Sequence, residues 1–433
     1  MSISDLHQLF LESAGISTDT RKIRSNSIFF ALRGPNFDAN KFAADALEAG
    51  AAYVVIDNPK YVIDHRTILV DNCLIALQQL AHYHRNFLGI PIIALTGSNG
   101  KTTTKELIHV VLQEKFNTKA TVGNLNNHIG VPLTLLSFDR ETEIGIVEMG
   151  ANHQKEIEQL CRIAEPDFGY ITNFGKAHLE GFGGIEGVIK GKTELYKHLA
   201  ARQKVAFINA DDSTQVQKSN SIKTVSFGIS NAKADIQFQN LTNEAEVGVM
   251  LRDQKIVSKL VGKYNIPNIC AAVAIGTYFE IPIENIKSAI AQYTPTNNRS
   301  QNIKIGKIEI ISDAYNANPS SMEAALKNLS LSKAARKLAI LGDMFELGDE
   351  SPKEHTLLIK LANDLKLPTI FIGPSFSAVK DRFEHQGFYT SFDDFELNFK
   401  QDLTDTLILV KGSRAMALER VIPLLEKIQQ KVN

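Results

Sequence analysis

The sequence predicts an α/β protein of three domains, and three observations carry that expectation. Short apolar runs of strand length alternate with amphipathic helical stretches along the chain, the pattern of βαβ units and mostly parallel sheets. A glycine-rich turn, Gly97-Ser98-Asn99-Gly100-Lys101-Thr102-Thr103, stands between one such run and a helix, as in mononucleotide-binding folds. The length, 433 residues, fits two to three domains better than one. The expected division is a small α/β domain over residues 1–86, a central P-loop-type mononucleotide-binding α/β domain with a mostly parallel sheet over 87–297, and a C-terminal Rossmann-like α/β domain over 298–433.

In the first domain a short amphipathic helix leads to the polar stretch Ser17-Thr18-Asp19-Thr20-Arg21. Strands are expected over 27–32, 51–56 and 67–70, with a helix over 42–49. In the central domain a buried strand over 92–96 precedes the glycine turn, and a helix over about 102–115 follows it. Further strands are expected at 144–148, 168–173 and 205–209, and over 232–260 the alternation becomes strand-like, with hairpins to one side of the sheet. The third domain begins near Asn297-Asn298-Arg299-Ser300, with strands over 303–313, 337–341, 369–372 and 406–410.

Composition narrows the function classes. A formal net charge of −1 supplies no field for nucleic acid or an anionic membrane. Cys73, Cys161 and Cys270 are far apart and form no CxxC pair, which argues against a disulfide scaffold or zinc and for a reducing, cytoplasmic setting. The N-terminus carries an early acid, Asp5, and no long apolar core, unlike a secretory leader. No run approaches the roughly 18 apolar residues of a membrane helix, so no membrane insertion is expected.

The glycine turn is the sharpest chemical signal. Its backbone N–H groups and the following helix start suit a phosphate cluster, Lys101 the β- and γ-phosphates, and Thr102 a Mg²⁺ ion. Against the usual GxxxxGK[ST] spacing the first glycine is displaced, with Leu95 in its place. An ordinary strand-to-helix turn is the plainer alternative. Glu148 ends a neighbouring strand, where it suits Mg²⁺ or is a solvated strand-end carboxylate. His178 follows the 168–173 strand among small residues, as a ligand or as a structural histidine. Lys190 and Lys192 are site residues or solvated charges. Asp313-Ala314-Tyr315-Asn316-Ala317-Asn318-Pro319-Ser320-Ser321 reads both as a helix entry and as a strand-end ligand site. Lys411 and Arg414, after the last strand, could hold an anion.

Taken together these segments resemble the Mur ligases, ATP-dependent amide-forming enzymes of peptidoglycan synthesis. The family's TGxNGKTT matches Thr96 to Thr103, its EMG matches Glu148-Met149-Gly150, and its AHLEGFG matches Ala177 to Gly183. DxYNANPxSM at Asp313 to Met322, LGDMxELG at Leu341 to Gly348 and KGSR at Lys411 to Arg414 are similar to the branch that adds D-alanyl-D-alanine. STDxR at Ser17 to Arg21 looks like the family's uridine-nucleotide domain. The sequence departs at Asn298, where a glycine precedes the arginine, at Tyr264, where a histidine precedes the asparagine, and at Lys155, often a glycine.

The resemblance implies that ATP phosphorylates the carboxylate of a UDP-MurNAc-tripeptide, and that D-Ala-D-Ala attacks the acyl phosphate. It implies ATP on Gly97 to Thr103 with Asn268, Arg299 and Asp313, one Mg²⁺ on Thr102 and Glu148, and a second on His178. It also implies a carbamylated lysine at Lys192, with Lys190 as the near alternative. Lys101, His178 and Lys192 are the implied catalytic residues. Ser17, Thr18 and Arg21 are implied for the UDP moiety, and Asn316, Asn318, Ser321, Lys411 and Arg414 for the C-terminal domain's site. A monomer with a hinge over 296–299 is expected. The rivals are the ligase adding the third stem residue, a folylpolyglutamate synthetase, and a nucleotide-regulated scaffold without catalysis.

Overall fold

The computed structural model describes residues 1–432 apart from 242–245, 296–298, 381–386 and 401–402. Three sheets organise it. The first is four short parallel strands in the order Ile16–Ser17, Ile28–Phe30, Tyr53–Ile56, Thr67–Leu69. Phe29, Val54 and Ile56, all but fully buried, pack on the helix Ala43–Glu48.

The helix Cys73–Leu88 carries the chain into the second unit. It packs on the helix Ile3–Glu12 at one side and on Gly130–Leu135 and Glu156–Ala164 at the other. A buried polar chain crosses this junction. His7 Nε2 lies 3.0 Å from His84 Nδ1, and His84 Nε2 lies 2.9 Å from the Phe138 carbonyl oxygen. The carbonyl can only accept, so His84 carries its proton on Nε2 and accepts from His7.

The central sheet has nine strands. The described order begins at one edge with Gln254–Ser258, Val247–Leu251 and Ile236–Asn240, then runs Lys223–Gly228, Val205–Asn209, Phe168–Ile171, Ile92–Thr96, Ile144–Glu148 and Thr118–Ala120. All neighbours are parallel except at that first edge, where the expected hairpins form a three-strand meander. Ile92–Thr96 is buried at every residue and lies between Phe168–Ile171 and Ile144–Glu148. Its carboxyl end therefore meets two neighbouring carboxyl ends, where α/β sheets gather their ligands.

The third sheet orders Gln301–Ile305, Ile308–Asp313, Thr406–Lys411, Arg336–Gly342, Thr369–Ile372 and Gly387–Tyr389. The expected single strand over 303–313 is instead two antiparallel strands, because the chain reverses at Gly306, whose φ is +55°. Asp313 and Lys411 are register partners at adjacent strand ends. The expected hinge falls at 296–299, of which 296–298 lie outside the described residues.

The His7–His84 pair makes stability depend on acid. Burial first, and the neighbouring His84 second, lower the His7 imidazole from 6.5 to about 4. The unfolded chain binds that proton more readily than the folded one, so stability is full above about pH 6.5 and is lost towards about pH 4, by up to about 3 kcal/mol. Thermal unfolding between pH 7 and 4.5 should show this loss. A His7→Leu variant should lose less on acidification, whatever its stability at pH 7.

Candidate active site

The phosphate-type loop follows Ile92–Thr96 because no side chain fits where its first glycine stands. A Cβ on Gly97 would lie 1.8 Å from Thr172 Oγ1, and the φ of +147° disfavours any other residue. At Gly100, φ is +78° and a Cβ would lie 2.7 Å from Asn268 Oδ1. The displaced glycine is thus a consequence of the loop resting on the next strand end. The loop's main chain is fixed from that side: Ser98 N–H donates to the Asn173 carbonyl, Asn99 N–H to Asn173 Oδ1, and Thr172 Oγ1 to the Asn99 carbonyl.

Lys101 opens the helix Lys101–Leu112, and its Nζ donates to the Gly97 carbonyl at 2.7 Å. Burial pushes this ammonium below its ordinary range, Glu148 pulls it back, and Arg299 pushes it down again. Glu148, only 1% exposed, accepts from Thr102 Oγ1 at 2.7 Å on one oxygen and from Asn126 Nδ2 at 2.8 Å on the other. Its backbone N–H donates to Thr121 Oγ1. Sequence reasoning missed Asn126; the only signal was the asparagine-rich run Asn124-Leu125-Asn126-Asn127.

The helix Ile185–Lys192 sets its two lysines in different surroundings. Lys190 is exposed and rims a separate 400 Å³ depression. Lys192 is buried, with its Nζ 5.3 Å from the centroid of the Phe182 ring. Burial drives its amine well below the ordinary lysine range and Lys101 adds to this, while Glu156 and Glu194 act against it. Glu194 is itself committed, accepting the N–H groups of Lys155 and Glu158. Lys155 has a φ of +72°, which explains why a glycine suits that position.

Most of these groups open onto one cleft of about 870 Å³, although Gly97 and Lys192 are not among its lining residues. Ser98 to Thr103, Glu148, His178, Asn268, Arg299, Asp313, Asn316, Asn318, Ser321 and Lys411 all line it. Asn268 accepts from Thr104 Oγ1 and donates to Asn265 Oδ1. The Arg299 guanidinium stacks 3.8 Å over the Tyr315 ring. Lys411 Nζ is held by Asp313 Oδ2 at 2.6 Å and by the Asn316 carbonyl at 3.0 Å, so it fixes Asp313 rather than standing ready for an anion. Tyr264, in place of histidine, reaches Ser300 Oγ at 2.7 Å, and Ser300 N–H in turn donates to Asp313.

Some expected residues stand elsewhere. Arg414 is 60% exposed, pairs with Glu419 at 2.8 Å and does not line the cleft. The short turn after its strand turns the side chain outward. Ser17, Thr18 and Arg21, expected at a separate site in the first domain, do not line this cleft; Arg21 pairs with Asp19 at the surface. Asp343 of the LGDMxELG segment is fully buried and accepts the Ser375 and Phe376 N–H groups, which makes it a structural node.

The C-terminal domain is docked on the central one. His178 Nδ1 stands 2.5 Å from Glu346 Oε2, and the His178 ring holds that carboxyl below its usual range. Lys176 Nζ pairs with the buried Glu354 at 2.6 Å, and its N–H donates to Ser320 Oγ. Asn318 Nδ2 donates to Asn99 Oδ1 at 2.7 Å. None of Glu346, Lys176 or Glu354 was singled out from the sequence, because each gains its meaning from a partner in another domain.

Oxygen donors around a buried carboxylate fit Mg²⁺, which binds through one or two carboxylates and substrate phosphates. Among the described residues no three His, Cys, Asp or Glu side chains cluster as a metal site.

Comparison with known proteins places the chain. The Mur ligase middle domain family matches residues 95–276, and the Mur ligase glutamate ligase domain family matches 298–414. The UDP-N-acetylmuramoyl-tripeptide–D-alanyl-D-alanine ligase of Bacillus subtilis (strain 168) is 37% identical over 94% of this chain and 92% of its own. The enzyme of that name from Escherichia coli (strain K12) is 33% identical over 95% and 93%. A crystal structure of MurF from Acinetobacter baumannii superposes with a TM-score of 0.84 at 30% identity, covering 98% of both chains. MurF ligase from Thermotoga maritima in complex with ADP gives 0.83 at 26%, covering 98% of this chain and 99% of that one.

The loop geometry makes its own prediction. Gly97→Ala should abolish measurable ADP binding in a calorimetric titration, while the protein stays folded by circular dichroism. A variant that binds ADP like the parent would show that the loop can relax around the new methyl group.

Proposed function

The chain belongs to the Mur ligase family, and we propose that it joins D-alanyl-D-alanine to UDP-N-acetylmuramoyl-tripeptide using ATP. The observation that carries this reading is the end-to-end similarity to ligases of that name, 37% identical over 94% of the chain. It is an ATP-dependent amide-forming ligase of peptidoglycan synthesis, and the cleft supplies what that chemistry needs.

In our reading the tripeptide's terminal carboxylate oxygen attacks the γ-phosphorus of ATP, giving an acyl phosphate and ADP. The free amine of D-alanyl-D-alanine then attacks the acyl carbon, and the tetrahedral adduct expels phosphate and a proton. Two anions must meet, so positive charge has to gather at the γ-phosphate. Lys101 provides it from the loop. Mg²⁺, held by Thr102 and Glu148 with His178 at a second position, would supply further charge neutralisation there. Thr102 and Asn126 keep the Glu148 carboxylate in one orientation. Asn268, Arg299 and Asp313 are assigned to the adenosine end, supported by their common place in the cleft lining. Ser17, Thr18 and Arg21 are assigned to the UDP moiety, and the domain limits at residues 86 and 297 are kept. We further assign the protein to the cytoplasm as a monomer; among the described residues no helix is long and apolar enough to cross a membrane.

Lys192 is assigned as the carbamylated lysine. A neutral amine attacks CO₂, the new N–C bond forms, and one proton leaves to solvent. Burial lowers the Lys192 amine well below the ordinary lysine range, which favours that step. The exposed Lys190 lacks that condition.

Incubation with ATP, Mg²⁺, D-Ala-D-Ala and UDP-MurNAc-tripeptide should yield the UDP-pentapeptide by mass, with one phosphate per product. Phosphate release without the peptide product, or none at all, would overturn the reading. Lys192→Ala should lower turnover by a factor of about 100 or more, and added short carboxylates should restore part of it. Full activity of that variant without them would sink the carbamate assignment. Lys190→Ala should behave as the parent.

A further inference from the structure

Asn99 sits between the two left-handed glycines of the phosphate loop. Its main chain is held entirely by the central domain: the N–H goes to Asn173 Oδ1, and the carbonyl accepts from Thr172 Oγ1 at 2.6 Å and Asn173 Nδ2 at 3.0 Å. What remains free to turn is the side chain, and that is held from the C-terminal domain. Asn318 Nδ2 donates to Asn99 Oδ1 at 2.7 Å. The orientation of both amides follows. Asn318 is the N-cap of the helix Pro319–Leu331, and its Oδ1 accepts the Ser321 N–H at 3.0 Å. Its oxygen is thereby committed to its own helix, and only its nitrogen can face the loop. Asn99 must present oxygen in return, which turns its Nδ2 towards Gly175, where a Cβ would lie 2.9 Å from that nitrogen. Both residues line the cleft. Two amides in series thus connect the N-terminus of a C-terminal-domain helix to the phosphate loop.

We propose that Asn318 is a positioning residue for nucleotide binding and phosphoryl transfer. It acts through Asn99, fixing that side-chain amide only while the C-terminal domain is docked. Nucleotide and docked domain then favour each other, since whatever orders the amide pair for one also orders it for the other. This inference rests on the ATP-dependent ligase reading, but it concerns a coupling between two domains rather than the identity of the amine.

Serine caps helices about as well as asparagine, so Asn318→Ser keeps the cap and removes the cross-domain donor. The variant should unfold at the parent's temperature, bind ADP about fivefold more weakly and turn over correspondingly slower. Asn99→Ala should weaken ADP binding to a similar degree, and the double variant should be little worse than either single one. If Asn318→Ser matches the parent in ADP affinity and rate while Asn318→Ala is merely less stable, the amide only caps its helix and the proposal fails. It fails too if the losses of the two substitutions add. The ADP titrations need no peptide substrate, so a parent protein that makes no pentapeptide would overturn the proposed reaction and leave the coupling test readable.

Discussion

A lysine ammonium that loses its water must find an anion or give up its proton. Two buried lysines face that choice, Lys101 in the lining of the central cleft and Lys192 outside it, and Lys101 lowers the Lys192 amine further. For Lys101 the charge of Glu148 works against burial, and the ammonium rests on a loop carbonyl. Lys192 has two acids in its vicinity, but Glu194 is tied to the start of the helix Glu156–Ala164 and Glu156 accepts the Asn152 and His153 N–H groups. Their hydrogen bonds are already committed, and burial outweighs their pull on the amine.

The rest of the architecture serves to hold that pair in place. The loop is rigid because Gly97 is pressed on Thr172, Glu148 is rigid because Thr102 and Asn126 take one oxygen each, and Asp313 is rigid because Lys411 spans its strand end. Every one of these contacts joins the carboxyl ends of neighbouring parallel strands or the segments that follow them. Strand order in the two larger sheets is therefore the quantity that turns scattered sequence motifs into one site.

That explains what the sequence makes legible and what it withholds. Lys101, Thr102 and Glu148 can be read because strand, loop and helix are local, and a strand-end acid has few places to go. The choice between Lys190 and Lys192 cannot, because it depends on which face of a two-turn helix meets Phe182. Asn126 is silent because its partner lies across the sheet. Arg414 reads as a neighbour of Lys411, yet three residues of turn suffice to send it to the surface. The reversal at Gly306 was open to inspection, since a glycine inside an apolar run marks a turn as readily as a strand. Asn318-Pro319 carried two readings, helix entry and ligand site. The side chain serves the first with its oxygen and reaches the cleft with its nitrogen.

The two junctions of the chain are built differently. Between the first and central domains the helix Cys73–Leu88 packs on both sides, with the His7–His84 pair sealed inside. Between the central and C-terminal domains the described contacts include polar side chains that meet tip to tip: Asn99 with Asn318, Lys176 with Glu354 and His178 with Glu346. Mechanically, the first is a weld and the second a clasp. For inhibitor design the difference is practical. A compound seated across the weld meets a surface that is formed in advance, whereas one that fills the clasp can wedge it, and needs no resemblance to nucleotide or peptide to stop the enzyme.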